Sequence, residues 1–412
     1  AAEPKTAWDA YQDYGHNHWH NSLLWGEDIH DFGITGPGLI FGKGLSRGYT
    51  APQGWQSFVA EQAGVGNKAI ALKNCRNVIF RDFSILKGGH FGLLLTGVDN
   101  LTIDNLTIDT DRDGMDLDCC KNARVINCTV NSPWDDAICP KSSYALGYAR
   151  ATENVTISNC YVTGGYELGS VIDGTWRKRA QSGTGQIKCG TESNGGFKNI
   201  AISNCVLEDS HGITLESEDG AIVEDIAISN ITMRGINRSP FFFRLGARLR
   251  GPKETTSVGS MKRVVISNVV SSGANAMYPS IISGIPGHAI EDLKIANVYL
   301  QQVGGGDAAM AALRPAEKIA EYPEQDMFGP LPAQGFFLRH IRNLEMSHVE
   351  IAAVKPDARP SFYLEDVNRA DFLAITAPTP GAFALHDVTD LRIHWSRAAQ
   401  DTVLAKADHQ IL

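Results

Sequence analysis

Between Asp111 and Ser142 the chain gathers carboxylates at a spacing suited to acid–base chemistry. Asp113, Gly114 and Asp116 make an Asp-Gly-x-Asp element, and the adjacent pair Asp135 and Asp136 follows, with Asp135 22 residues after Asp113. If a repeat of that length is one turn of a solenoid, positions one repeat apart lie on neighbouring rungs, about 4.8 Å apart. Asp113, Asp135 and Asp136 then share one patch. Carboxylates crowded in this way repel one another, so at least one retains its proton near neutral pH while the others stay ionised. A protonated carboxyl beside an ionised one supplies the general acid and general base needed to break a glycosidic bond.

The elements that must position these residues are legible as a repeat. NVIFRDFSIL, NLTIDNLTID, NARVINCTVN, NVTISNCYVT and NIAISNCVLE start at Asn77, Asn100, Asn122, Asn154 and Asn199. The phrase continues from Asp225, Arg263, Asp292, Asn343 and Asp390. Within each phrase apolar residues alternate, a polar Asn or Asp marks a bend, and a second short strand follows. No helical period of comparable strength appears. One coil cannot bury its apolar face alone, so the pattern predicts an all-β, single-domain, right-handed parallel β-helix of about ten coils, with inserted loops building a cleft on one face. Residues 1–50 are expected to form an N-terminal cap and first coil, and residues 51–400 the coils with their insertions. Asparagines at bends satisfy turn backbone groups, which makes glycosylation the weaker reading of Asn100, Asn154 and Asn230.

Composition narrows the partners. A formal charge of −9 argues against nucleic acid, and no apolar run approaches the length of a membrane span. The start AAEPKT suits the product of a signal-peptide cleavage, so an exported, monomeric protein is expected. Of the eight cysteines, Cys75, Cys128, Cys160 and Cys205 each follow an Asn at one phase of the repeat. They are expected as stacked interior thiols rather than disulfides.

The stretch resembles the catalytic region of glycoside hydrolase family 28, the polygalacturonases and rhamnogalacturonan hydrolases, whose pattern is Asn-Thr-Asp-Gly-x-Asp followed by Asp-Asp. The resemblance implies that Asp135 is the general acid and that Asp113 and Asp136 position and deprotonate the water, by inversion and without a metal or organic cofactor. The acid and base carboxyls are then expected to stand about 6.5–9.5 Å apart. Asp111-Arg112 replaces the family's Asn-Thr. The family's Gly-His-Gly element finds its closest counterpart at TGQIKCG, with Gly185 in the histidine's place; a competing alignment uses His211-Gly212. The Arg-Ile-Lys element that grips a substrate carboxylate corresponds to HGITLES, with Thr214 and Glu216 in place of Arg and Lys.

That exchange removes two positive charges and adds a negative one, so other cations must take over for an acidic sugar. Lys188 and Arg244 are the candidates, stacked with Glu216 as a cluster on the face of the aspartates. Asp116, His90, Lys141 and His211 complete the expected substrate-binding set, with Lys141 neutralising the acidic trio and His90 touching the sugar or standing as a capped surface residue. Two insertions are expected to flank the cleft. One carries His16, His18, His20, Trp19 and Trp25 and reads as a cap rather than a metal site, lacking a carboxylate in register. The other carries Trp176, Arg177, Lys178 and Arg179. The residues and the resemblance together imply a hydrolase of an acidic, galacturonate-containing polysaccharide or oligosaccharide, with long loops favouring exo action. The alternatives are a polysaccharide lyase using a calcium-binding Asp113, Asp116, Asp135, Asp136 cluster with a Lys188 or Arg244 base, and a non-catalytic carbohydrate-binding β-helix.

Overall fold

A computed structural model describes residues 6–12, 16–45, 66–378 and 381–412. The expectations placed on residues 1–5, on residues 13–15 of the histidine-bearing approach and on residues 46–65 fall outside the described residues. Helix is confined there to one 3-10 turn, Ala7–Tyr11, and one α-helical turn, Ala308–Ala311; the remaining elements are strands. Among the described residues no helix is long and apolar enough to cross a membrane. The chain divides into two compact units, one of residues 1–210 with 250–256 and the other of residues 211–249 with 257–412.

In the first unit each strand pairs in parallel with the strand one coil further on. Asp99 sits opposite Arg76 on one side and Lys121 on the other, so the sequence repeat is the rung register itself. Longer intervals carry loops: Lys121 still pairs with Glu153, and Thr156 with Ala201. At each bend the Asn adopts a left-handed backbone, with φ of 57° at Asn77, 53° at Asn100, 55° at Asn122, 58° at Asn154 and 53° at Asn199. Asn is the non-glycine residue best suited to that region, because its short amide bonds locally. The amides also form a ladder, Asn199 to Asn154 to Asn122 to Asn100 to Asn77, with N···O distances of 2.8–3.2 Å. Asn100 and Asn154 are therefore engaged as bend residues. Inside, Val78, Leu101, Ala123, Val125, Val155 and Ile157 are buried, and all eight cysteines are buried free thiols, among them Cys75, Cys128, Cys160 and Cys205 as the repeat predicts.

The second unit repeats the design with longer strands, Ile222–Arg234, Ser260–Ala274, Ile290–Gln302, Phe336–Ala353, Phe362–Leu373 and Phe383–His394. Its core includes an aromatic stack, Phe336 on Phe362 at 5.9 Å and Phe362 on Phe383 at 4.9 Å. Thr402–Ala407 pairs antiparallel with the last long strand and so ends the parallel run. The repeat phrase overlooks the coil at Phe362–Leu373, where Arg369 (φ 58°) holds the bend in place of Asn.

Replacing Asn122 by Ala removes two ladder bonds and leaves a Cβ in left-handed backbone, whereas Gly removes the bonds without that strain. Asn122→Ala is expected to lower the unfolding free energy by about 2 kcal/mol and Asn122→Gly by about 1 kcal/mol, read from urea midpoints.

Candidate active site

The carboxylates lie on adjacent rungs of the first unit. Asp113 opens the strand Asp113–Asp118, whose next rung is Ile138–Lys141, with Asp116 opposite Cys139. The backbone N–H of Gly114 donates to the Asp136 carbonyl at 2.9 Å, and the N–H of Asp136 donates to Asp113 Oδ1 at 3.2 Å. Gly114 is needed for this approach, because a Cβ there would stand 2.5 Å from both the Ala137 carbonyl oxygen and Val130 Cγ1. Asp113, Asp135 and Asp136 thus meet as expected, but more closely. An oxygen of Asp113 lies within 4.8 Å of one of Asp135. The expected separation of about 6.5–9.5 Å is not found, because rung spacing rather than a bound water sets the distance.

Each carboxylate has a different neighbour. Arg112, 4% exposed, donates from its guanidinium to Asp135 Oδ2. Lys188 lies 3.7 Å from Asp136 Oδ2, and Gln186 donates to Asp136 Oδ1 at 2.6 Å. Among the described residues no cation forms an ion pair with Asp113, which is 4% exposed. The consequences for protonation are opposite. Burial, reinforced by the charges of Asp116 and Asp135, holds the Asp113 carboxyl well above the usual carboxylate range. Burial also works against ionised Asp135, but Arg112 and then Lys188 outweigh it and hold that carboxyl below the usual range.

Around the trio the expected residues fall unevenly. His90 is fully buried rather than on the surface, its ring 4.4 Å from that of Phe91 and a ring nitrogen within 4.8 Å of carboxylate oxygens of Asp113 and Asp135. Lys141 serves neighbours of the trio, reaching Glu192 Oε2 at 3.1 Å and Asp116 Oδ2 at 3.9 Å. Asp116 also faces His16 Nε2 at 3.3 Å. His16 is buried, and although burial disfavours its charge, Glu192 restores it and the imidazole is raised. The N-terminal histidines therefore do have carboxylate partners, with His18 on Asp9 at 3.2 Å and His20 on Glu27 at 3.1 Å. The His16–Asp116 contact crosses between chain segments, which a repeat register cannot display. Gly185 explains the missing histidine: a Cβ there would lie 2.2 Å from the Thr163 carbonyl carbon, so no side chain fits.

Of the basic insertion, Arg177 pairs with Glu167 and Asp173, and Lys178 with Glu208 and Asp209. Arg179 stacks over Trp134 at 4.4 Å, and Trp134, 39% exposed, precedes Asp135 directly. Asp109 anchors the loop, accepting from Gly169 at 2.8 Å and Val171 at 3.1 Å. Sequence reasoning missed Arg112, Trp134, Gln186 and Glu192. Arg112 was visible only as a departure from the family pattern, and Glu192 sat unremarked in GTESNGG.

In the second unit Glu216 lies opposite Arg244 in register. Arg244 is fully buried and donates to Ser283 Oγ at 3.0 Å and to the carbonyls of Gly284, Glu317 and Lys318 at 2.9–3.0 Å. Its guanidinium, lowered by burial to about 10, binds backbone of its own unit, so the expected role as a substrate-carboxylate cation is not what its contacts serve. Gln325 donates to the Thr214 hydroxyl at 3.1 Å and to the His211 carbonyl at 2.9 Å. Arg248 forms a two-pronged pair with Asp219, and burial holds Glu218 well above the usual carboxylate range.

The trio makes opposite predictions for two isosteric changes. Asp113 contributes stability that is fully present below its unfolded pKa and lost as pH rises through its raised folded pKa. Asp113→Asn cannot ionise, so it is expected to melt above the wild type near neutral pH and to match it at strongly acidic pH. Asp135 contributes stability present above its unfolded pKa and lost as pH falls through its lowered folded pKa. Asp135→Asn leaves Arg112 without its partner and is expected to cost roughly 2 kcal/mol near neutral pH, read from melting curves across pH.

Comparison with known proteins places this geometry. Residues 8–312 match the family model for glycosyl hydrolases family 28. No curated protein matches the chain in sequence. Among solved structures, the chain resembles a hyperthermoactive exopolygalacturonase from Thermotoga maritima (TM-score 0.52, 16% identity, 68% of this chain and 66% of that one). It also resembles a family 28 exopolygalacturonase from Yersinia enterocolitica (TM-score 0.56, 15% identity, 85% of this chain and 60% of that one). The chain thus spans less than two thirds of the length of either, and at these identities the likeness is one of fold, a right-handed parallel β-helix. Since the family model covers about three quarters of the sequence, the chain belongs to family 28 of the glycosyl hydrolases.

Proposed function

We propose that this protein hydrolyses a glycosidic bond in an acidic, galacturonate-containing polysaccharide or oligosaccharide, with Asp113, Asp135 and Asp136 as its acid–base groups. The observation that carries the reading is a buried carboxyl, Asp113, that forms no ion pair among the described residues, beside a carboxylate, Asp135, that Arg112 holds. Two carboxyl groups this close share one proton, and the guanidinium decides where it stays. In the family pattern the acid is Asp135. Here Arg112 stands where the pattern has Thr and favours ionised Asp135, so we assign the proton to Asp113. Asp113 then protonates the leaving oxygen, and Asp135 draws the proton from water.

Lys188 and Gln186 fix Asp136 beside them. Exposed Trp134 with Arg179 offers an aromatic face and a positive charge for a uronate ring. Inverting stereochemistry and exo action are proposed from family membership and from the polygalacturonases of similar fold. His90, Asp116 and Lys141 line or brace the same site; export and a monomeric state complete the proposal. A calcium-dependent lyase is the weaker reading, because Asp116, Asp135 and Asp136 already face protein cations.

Incubation with galacturonan, rhamnogalacturonan and other acidic glycans, with and without a chelator, is expected to give saturated, water-added products whatever the chelator. Unsaturated, chelator-sensitive products, or none from any glycan, would overturn the proposal. With an active substrate, the acid limb of the kcat/KM profile reports the base and the alkaline limb the acid. Removing Arg112 raises the pKa of Asp135. Arg112→Thr is therefore expected to move the acid limb to higher pH and leave the alkaline limb in place. A shift of the alkaline limb instead would return the acid role to Asp135.

A further inference from the structure

Far along the chain from the aspartate trio, the second unit gathers a set of ligating side chains that the hydrolase reading does not use. His386 lies on the strand Phe383–His394, and His409 and Asp408 lie on the return that brings Gln410 opposite Leu385 and Ile411 opposite Ala384. Main-chain bonds between Leu412 and Phe383 at 3.0 and 3.1 Å hold that return in register. Nδ1 of His386 and Nδ1 of His409 stand 3.2 Å apart, and one ligand atom from each of His386, His409 and Asp408 lies within 4.8 Å of the others.

Two nitrogens bound to one tetrahedral zinc at about 2.0–2.1 Å are separated by roughly 3.3 Å. The histidine pair already has that span, and the Asp408 carboxylate lies within 4.8 Å of it. Asp408 Oδ1 accepts from the backbone N–H of Asp387 at 3.1 Å and stands 3.8 Å from His409 Nε2. The Tyr363 ring, 4.9 Å from the His386 imidazole, limits how far that ring can swing.

We propose that His386, His409 and Asp408 form a binding site for a divalent transition-metal ion of the zinc class. Two imidazoles and a carboxylate select such an ion over calcium or magnesium, which take oxygen ligands. Three protein ligands leave a coordination position open. His386 and His409 also line a cavity of about 520 Å³ together with Arg314 and Pro360, so that position faces a space large enough for a small ligand. Arg314 gives the same cavity a cation suited to the far end of a bound anion.

The test uses the full chain, freed of any histidine tag and treated with chelator, titrated with Zn2+ by calorimetry and with Co2+ by visible absorption. The expected result is one ion per chain with a tetrahedral cobalt spectrum. His386→Ala and His409→Ala are each expected to weaken binding at least about tenfold, and Asp408→Asn less, with circular dichroism unchanged. Absence of uptake would overturn the site. So would uptake that persists in the His386→Ala/His409→Ala double variant, since the ion would then sit elsewhere, for example at His16, Asp113 and Asp116.

Discussion

The vertical spacing of the coils governs this molecule. Parallel pairing keeps adjacent rungs about 4.8 Å apart and in strict register, so residues one repeat apart in sequence are neighbours in space whether or not their charges agree. Elsewhere the constraint stacks groups that attract or ignore one another, such as bend asparagines, thiols and phenyl rings. At Asp113 and Asp135 it stacks two carboxyls, and the backbone enforces the contact through the Gly114 N–H to Asp136 carbonyl bond. Repulsion there cannot be relieved by moving apart. It is relieved by retaining a proton and by drawing in cations.

Which carboxyl keeps the proton then depends on the side chains that surround the trio. Arg112 follows the chain one residue ahead of Asp113 yet reaches across the rung to Asp135, and Lys188 reaches Asp136 from the next coil. On the flank His16 faces Asp116, and Lys141 and Arg250 face Glu192. The fold supplies the crowding, and on the proposed reading this distribution of cations turns crowding into an acid and a base. In a family defined by the aspartates, the residue that sets their protonation here lies at a position where this chain departs from the pattern.

The sequence made the repeat, the buried thiols and the aspartate trio legible because all three are periodic: an alternating strand, an Asn in the left-handed bend and a carboxylate one turn further on. What it concealed is aperiodic. The coil at Phe362–Leu373 escapes notice because Arg369 and Ala374 hold its two bends, where the recognised coil that starts at Arg263 still has Asn268 at the second. His16 meets Asp116 through a segment that is not part of the repeat. Arg244 is a cation in the expected register, but its guanidinium turns toward the carbonyls of Glu317 and Lys318, which belong to a loop whose path no repeat dictates. Gly185 looks like a lost histidine in one dimension and is a packing necessity in three.

The most direct test of the central claim is the location of the shared proton. Carbon-13 NMR of side-chain-labelled aspartate, at about pH 5 where an ordinary aspartate is ionised, distinguishes protonated from ionised carboxyls. The account predicts a protonated carboxyl signal that disappears in Asp113→Asn and survives in Asp135→Asn. A protonated signal that disappears in Asp135→Asn and survives in Asp113→Asn would contradict it.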